Sequence, residues 1–118
     1  MDRIAPASLD TLASVSDSFV PVDPGDVIAG APETRTTVIA TTDGPAEFGV
    51  WELRGGTVRD IEVDEIFVVI AGGARLTVNG AAPRDLAAGD VVELQAGDVT
   101  VWQVDELLRK IYFTPNEQ

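Results

Sequence analysis

Asp64-Glu65-Ile66-Phe67-Val68-Val69-Ile70-Ala71-Gly72-Gly73 is the stretch whose reading decides the fold. Its apolar run is short, rich in β-branched and aromatic side chains, and closed by a glycine pair, so it reads as a buried strand rather than a helix. Gly72-Gly73 predicts a tight hairpin into a further strand over 75–78. Asn79-Gly80, directly after it, is the strongest hairpin-turn signal in the chain.

Outward from this stretch the same pattern repeats. Upstream, 34–41 runs to a turn at Asp43-Gly44-Pro45, 47–54 runs to Gly55-Gly56, and 57–63 leads into the apolar run. Downstream, a loop around Pro83 is followed by predicted strands at 91–94, 99–104 and 108–113. Short strands with regular turns, and no helical stretch to cross between parallel ones, predict an all-β antiparallel sandwich or barrel over 33–118. Residues 1–32 read instead as an irregular N-terminal arm. Leu9, Leu12 and Val15 behind a Ser8 cap predict at most one marginal helix, and Pro21, Pro24 and Gly25 break any regular element after it. Such an arm covers a sheet edge or reaches a neighbouring subunit.

The chain of 118 residues, 45% hydrophobic, is enough for one core and too short for two ordinary domains. Its apolar run falls far short of the roughly 20 residues of a spanning helix. With 20 acidic against 8 basic residues and a net charge of −12, it repels phosphate backbones and anionic lipid, so neither nucleic acid nor a membrane is an expected partner. The acids are spread from Asp2 to Glu117, the pattern of a solvated surface. Without cysteine there is no disulfide framework, and with no leader pattern a cytoplasmic location is expected. Histidine is absent as well, which removes Ser-His and Cys-His nucleophile pairs and a histidine base. No phosphate-cradling glycine motif is present. Any catalysis falls to carboxylates, Tyr112, an arginine or the single Lys110.

The run from Asp64 to Gly72 resembles the second half of the first motif of the cupins, a superfamily of small jelly-roll barrels. Glu65 falls on that motif's glutamate and Gly72 on its closing glycine, while 89–97 echoes the second motif with Gln95 in the usual proline position. Gly49-Val50-Trp51-Glu52, Val101-Trp102-Gln103-Val104 and Leu108-Arg109-Lys110-Ile111-Tyr112 are similar to one subfamily, which includes proteins of unknown function beside relatives of ureidoglycine aminohydrolase and an ethanolamine-utilisation cupin. The resemblance implies an antiparallel jelly-roll barrel and, in cupins generally, a divalent metal held by histidines and a glutamate. Here those histidine positions fall near Arg59, Ile61 and Thr100. Arginine offers no lone pair, isoleucine no donor atom, and threonine only a weak ligand, so no metal and no cofactor is expected. The acids Asp60, Glu62, Asp64 and Glu65 read as a solvated strand edge or, alternatively, as oxygen ligands for Mg²⁺, Mn²⁺ or Ca²⁺.

Alternation places Arg59, Ile61 and Val63 on one strand face and Val58, Asp60 and Glu62 on the other, and the apolar members predict the first set inside. Arg59 would then face Glu65 and replace the metal's charge, either at a functional site or as a structural pair. Trp51, Trp102 and Tyr112 line a pocket or fill the core, and Phe67 shares the face of Glu65. Three readings follow. One is a barrel that binds a small molecule through Trp51, Arg59, Ile61, Phe67, Thr100, Trp102 and Tyr112 without a metal. Another is a hydrolase or isomerase of small polar metabolites with Glu65 as catalytic base. The third is an interaction module forming a homodimer through the arm and a sheet edge.

Overall fold

The computed structural model describes residues 18–41 and 43–115. The helix expected near Leu9 lies outside these residues. The chain enters as β1 (Val20–Pro21) and a single 3-10 turn, Pro24–Asp26, whose Asp23 cap accepts the Gly25 N–H at 2.9 Å. Seven strands follow: β2 (Val27–Thr41), β3 (Glu47–Ile61), β4 (Glu65–Val78), β5 (Arg84–Ala87), β6 (Val91–Leu94), β7 (Val99–Val104) and β8 (Leu108–Thr114). All pairings are antiparallel. No described helix is long and apolar enough to cross a membrane.

Closure comes from the two long strands. The N-terminal half of β3 pairs with β8 and its C-terminal half with β7; β4 does the same with the same two partners. The circuit β3–β7–β4–β8 therefore shuts on itself, giving the antiparallel barrel expected from the strand pattern. Its core holds Leu53, Val58, Phe67, Val69, Leu76, Leu94, Trp102, Val104, Leu108 and Tyr112.

The partner switch happens at the glycine pairs. Gly72 has φ 71°, and a Cβ there would stand 1.8 Å from the Leu107 carbonyl oxygen, so only glycine lets β4 pass this close to the approach of β8. The same oxygen accepts the Gly73 N–H at 3.0 Å. Gly72-Gly73 is thus a bend inside one strand, not the hairpin expected. Gly55, with φ 74°, plays the same part inside β3, so 47–54 and 57–63 are one strand rather than two.

Three other expectations change. β2 begins at Val27, so residues assigned to the arm already belong to the sheet. A short strand, β5, occupies 84–87, just after the loop at Pro83. Asn79 and Gly80 both take positive φ as expected, and Ala81 N–H donates to Val78 O at 3.0 Å, but the pairing of Leu76 with Arg84 makes the connection longer than a two-residue hairpin. The described part of the arm is held by the pairing of β1 with β2 and by Phe19. Phe19 stacks under the guanidinium groups of Arg35 at 4.2 Å and Arg54 at 3.7 Å.

Candidate functional site

Each glycine bend also shifts the alternation by one residue. In β3, Trp51 and fully buried Leu53 face the barrel interior before Gly55, while Val58, only 5% exposed, faces it afterwards. In β4, Phe67 and Val69 face inward before Gly72, and Leu76 after it. The register confirms the phase, because Val58 lies opposite buried Trp102 and Asp60 opposite buried Thr100.

This overturns the predicted face. Arg59 is exposed on the outside of the barrel, and Ile61 is 62% exposed at the cavity rim. Glu62, expected outside, lines the cavity instead. Apolar content suggested the wrong face because Ile61 and Val63 lie at the strand's end, where the pairing partner decides orientation. The expected Arg59–Glu65 pair is not formed.

Lys110 takes that place. It stands on β8 between Trp51 of β3 and Val69 of β4, and shares its face with buried Leu108 and Tyr112. Its Nζ donates to Glu65 Oε2 at 2.6 Å, with the two side chains only 5% and 11% exposed. Three aromatic rings surround the ammonium: Phe67 at 4.4 Å, Trp51 at 4.7 Å and Trp102 at 4.8 Å. Trp102 is itself tilted against Trp51 and Phe67, at centroid distances of 5.7 and 5.6 Å. A buried ammonium with one carboxylate and three ring faces is well compensated. The sequence carried a signal for it, since Lys110 alternates in phase with Leu108 and Tyr112.

This pair forms one end of a cavity of about 330 Å³, lined also by Thr36, Glu47, Asp60, Glu62 and Tyr112. Burial, reinforced by the nearby Asp60 carboxylate, pushes the Glu62 carboxyl up to about 7. Thr100 supports it. The Thr100 hydroxyl accepts the Trp102 indole N–H at 3.0 Å and faces Glu62 Oε2 at 3.2 Å, while the backbone of Glu62 is fixed to Asp98 and Gly97. Across the cavity the Tyr112 hydroxyl donates to Glu47, and burial followed by that bond holds the phenol well above its ordinary range. Gly49 lies under this ring, where a Cβ would meet the Tyr112 oxygen at 2.7 Å.

Of the residues singled out in the sequence, Glu65, Trp51, Trp102 and Tyr112 meet at the cavity surface and Ile61 at its rim. Phe67 and Thr100 are buried one layer behind it, Phe67 against Lys110 and Thr100 against Glu62. Arg59 is not part of it. Lys110, Glu62 and Glu47 are the additions.

A histidine-held metal does not fit these residues. The carboxylate of Glu65 is engaged by Lys110, and the Thr100 oxygen already accepts from Trp102. The acidic stretch does not close into a ligand set either. Asp64 turns to the Ala96 N–H at 2.9 Å and Asp60 to the Ile61 N–H at 2.8 Å. Among the described residues no three acids gather into a metal-ligating group.

Comparison with known proteins agrees with the architecture. No curated protein matches the chain. Among solved structures, EutQ from Clostridium difficile superposes with a TM-score of 0.62 at 23% identity over 80% of this chain and 79% of that one. A putative ethanolamine utilization protein Q from Salmonella typhimurium LT2 gives 0.59 at 17% identity, over 81% of this chain and 92% of that one. A predicted oxalate decarboxylase from Thermotoga maritima gives 0.62 at 17% identity, over 83% and 91%. At these identities the likeness concerns fold alone. The sequence pattern of the EutQ-like cupin domain matches residues 40–112, and the chain belongs to that family.

Proposed function

We propose that this cupin-fold protein binds a small polar molecule in the barrel cavity without a histidine-held metal, the Lys110–Glu65 pair supplying the charge at the cavity's end. The observation that carries the reading is the buried ammonium itself, held by Glu65 at 2.6 Å and by three rings at the edge of a cavity of about 330 Å³. That volume lies within the range of small-ligand pockets, and its mix of aromatic walls and a few polar groups is the composition such pockets use. Screening a fragment library by NMR tests it. Binders are expected to move the indole N–H signals of Trp51 and Trp102; a library that moves neither, or a stoichiometric transition metal lost on Glu65→Ala, would sink the proposal.

A second reading is supported by Glu62, whose carboxyl titrates at about 7 beside the cavity and is therefore suited to general acid–base work near neutral pH. The chain would then be a hydrolase or isomerase of small polar metabolites, with Glu62 rather than Glu65 moving the proton, because Glu65 is engaged with Lys110. Turnover in a metabolite panel, with a pH profile breaking near 7 that Glu62→Gln removes, is the expected result. A profile that responds only to Glu65→Gln restores Glu65 as the base. A cytosolic location and a homodimer complete the proposal, the first supported by the absence of cysteine.

A further inference from the structure

Charge in the cavity is unbalanced. Its lining carries four carboxyl groups, those of Glu47, Asp60, Glu62 and Glu65, against one ammonium, that of Lys110. Glu65 is neutralised by Lys110. Among the described residues no salt bridge reaches Asp60 or Glu62. Their hydrogen-bond partners are neutral, the Ile61 N–H and the Thr100 hydroxyl; burial with Asp60 nearby leaves Glu62 partly protonated near neutral pH, a state that an added cation would draw back to the carboxylate.

The walls are suited to a cation independently of these acids. Trp51 and Trp102 already hold one ammonium, that of Lys110, at 4.7 and 4.8 Å, and both also face the cavity. Ring faces of this kind attract organic cations. An anionic ligand would meet the fields of Asp60 and Glu62. A neutral apolar one would strip water from both carboxylates and give nothing back.

We infer that the cavity ligand is a small organic amine, bound as its ammonium against Glu62 and Asp60 with Trp51 and Trp102 as its apolar wall. The inference rests on the reading of the cavity as a ligand site. Lys110 limits where the amine sits: its own charge keeps the ligand ammonium on the Glu62 side, away from Glu65.

n-Butylamine, n-butanol and sodium butyrate are similar in size and, near neutral pH, carry positive, zero and negative charge. Titrating each while following tryptophan emission reads the cavity, because the chain's 2 tryptophans both line it. Butylamine is expected to saturate at least about tenfold more tightly than the other two. Glu62→Gln should weaken it about tenfold, and Asp105→Asn, an exposed acid outside the cavity, should leave it unchanged. If Glu62→Gln loses the native emission spectrum, Asp60→Asn serves in its place. Butanol or butyrate binding as well as butylamine overturns the amine and leaves the cavity reading standing, as does butylamine affinity indifferent to the cavity acids or equally sensitive to Asp105→Asn. No saturable response to any of the three overturns both.

Discussion

Lys110 and Glu65 are the residues whose charges most depend on each other. Removing one partner of a buried pair leaves the other uncompensated, so Glu65→Leu is expected to cost about 3 kcal/mol. Replacing both, as Lys110→Met with Glu65→Leu, should recover most of that loss, since apolar residues of similar size often substitute for a buried ion pair without penalty. Denaturant melts of the two variants give the comparison, and a double variant as unstable as the single one contradicts it. Glu62 sets a pH dependence of its own. Its folded-state pKa of about 7 lies above the ordinary 4.5, so the native state holds the proton more tightly than the unfolded chain. Its contribution is therefore full below about 4.5 and lost as pH rises through about 7. Glu62→Gln should gain on the parent protein by about 2 kcal/mol between pH 5 and 8, the partial exposure of Glu62 being allowed for. Parallel stability curves for the two proteins over that window would refute it. The glutamate position was legible in sequence because Glu65 alternates in phase with Phe67 and Val69. Arg59 and Ile61 were placed on the wrong face because apolar content was the guide where β3 ends, and the change of parity at Gly55 that turns Val58 inward leaves no trace in the order of side chains.

At the level of elements, β3 and β4 are each one strand doing the work of two. Their existence, and the barrel they build, followed from β-branched runs and regular turns; their continuity did not, because a glycine pair signals a turn and an in-strand bend equally well. The two uses of glycine differ in what surrounds the backbone. Gly72 has φ 71° and a carbonyl 1.8 Å from any added Cβ, whereas Gly80 has φ 73° and open space around it. Alanine at 80 should cost about 1 kcal/mol, the left-handed backbone penalty alone. Alanine at 72 should cost several times as much, of order 4 kcal/mol or failure to fold, because the β8 approach must move. Thermal melts of the two variants measure the difference, and similar losses would show that Leu107 yields easily. A second buried charge lies across the sheet. Glu52 is fully buried on the opposite face of β3 from Trp51, with Arg35 at 2.8 Å and Arg109 at 3.1 Å on the flanking strands. It ties β2, β3 and β8 together on that face, as Lys110 and Glu65 tie β8 to β4 on the inner one.

For the whole molecule, the exterior is not uniformly polar. Phe48, Phe113 and Ile66 lie opposite one another on β3, β8 and β4 and are 37%, 41% and 49% exposed. Such a row is the kind of apolar surface that homodimers bury, and we propose it as an interface besides the arm and sheet edge expected from the sequence. Light scattering of the parent protein and of Phe113→Asp gives the readout: a dimer converted to monomer is expected, and a parent that is monomeric at high concentration removes the proposal. The net charge of −12 was plain in the sequence, but the meeting of four acids at one cavity was not, because they come from β3, the turn after it and β4.

Lys110 and Tyr112 stand on β8, the last of the described strands in chain order. β8 is also the strand that joins β3 to β4 on one side of the barrel, over separations such as the 65 residues between Tyr112 and Glu47. Contacts that distant in sequence are slow to form. The cavity therefore comes into being together with closure, and the ring-bound ammonium beside Trp51 and Trp102 makes their emission a reporter of that step.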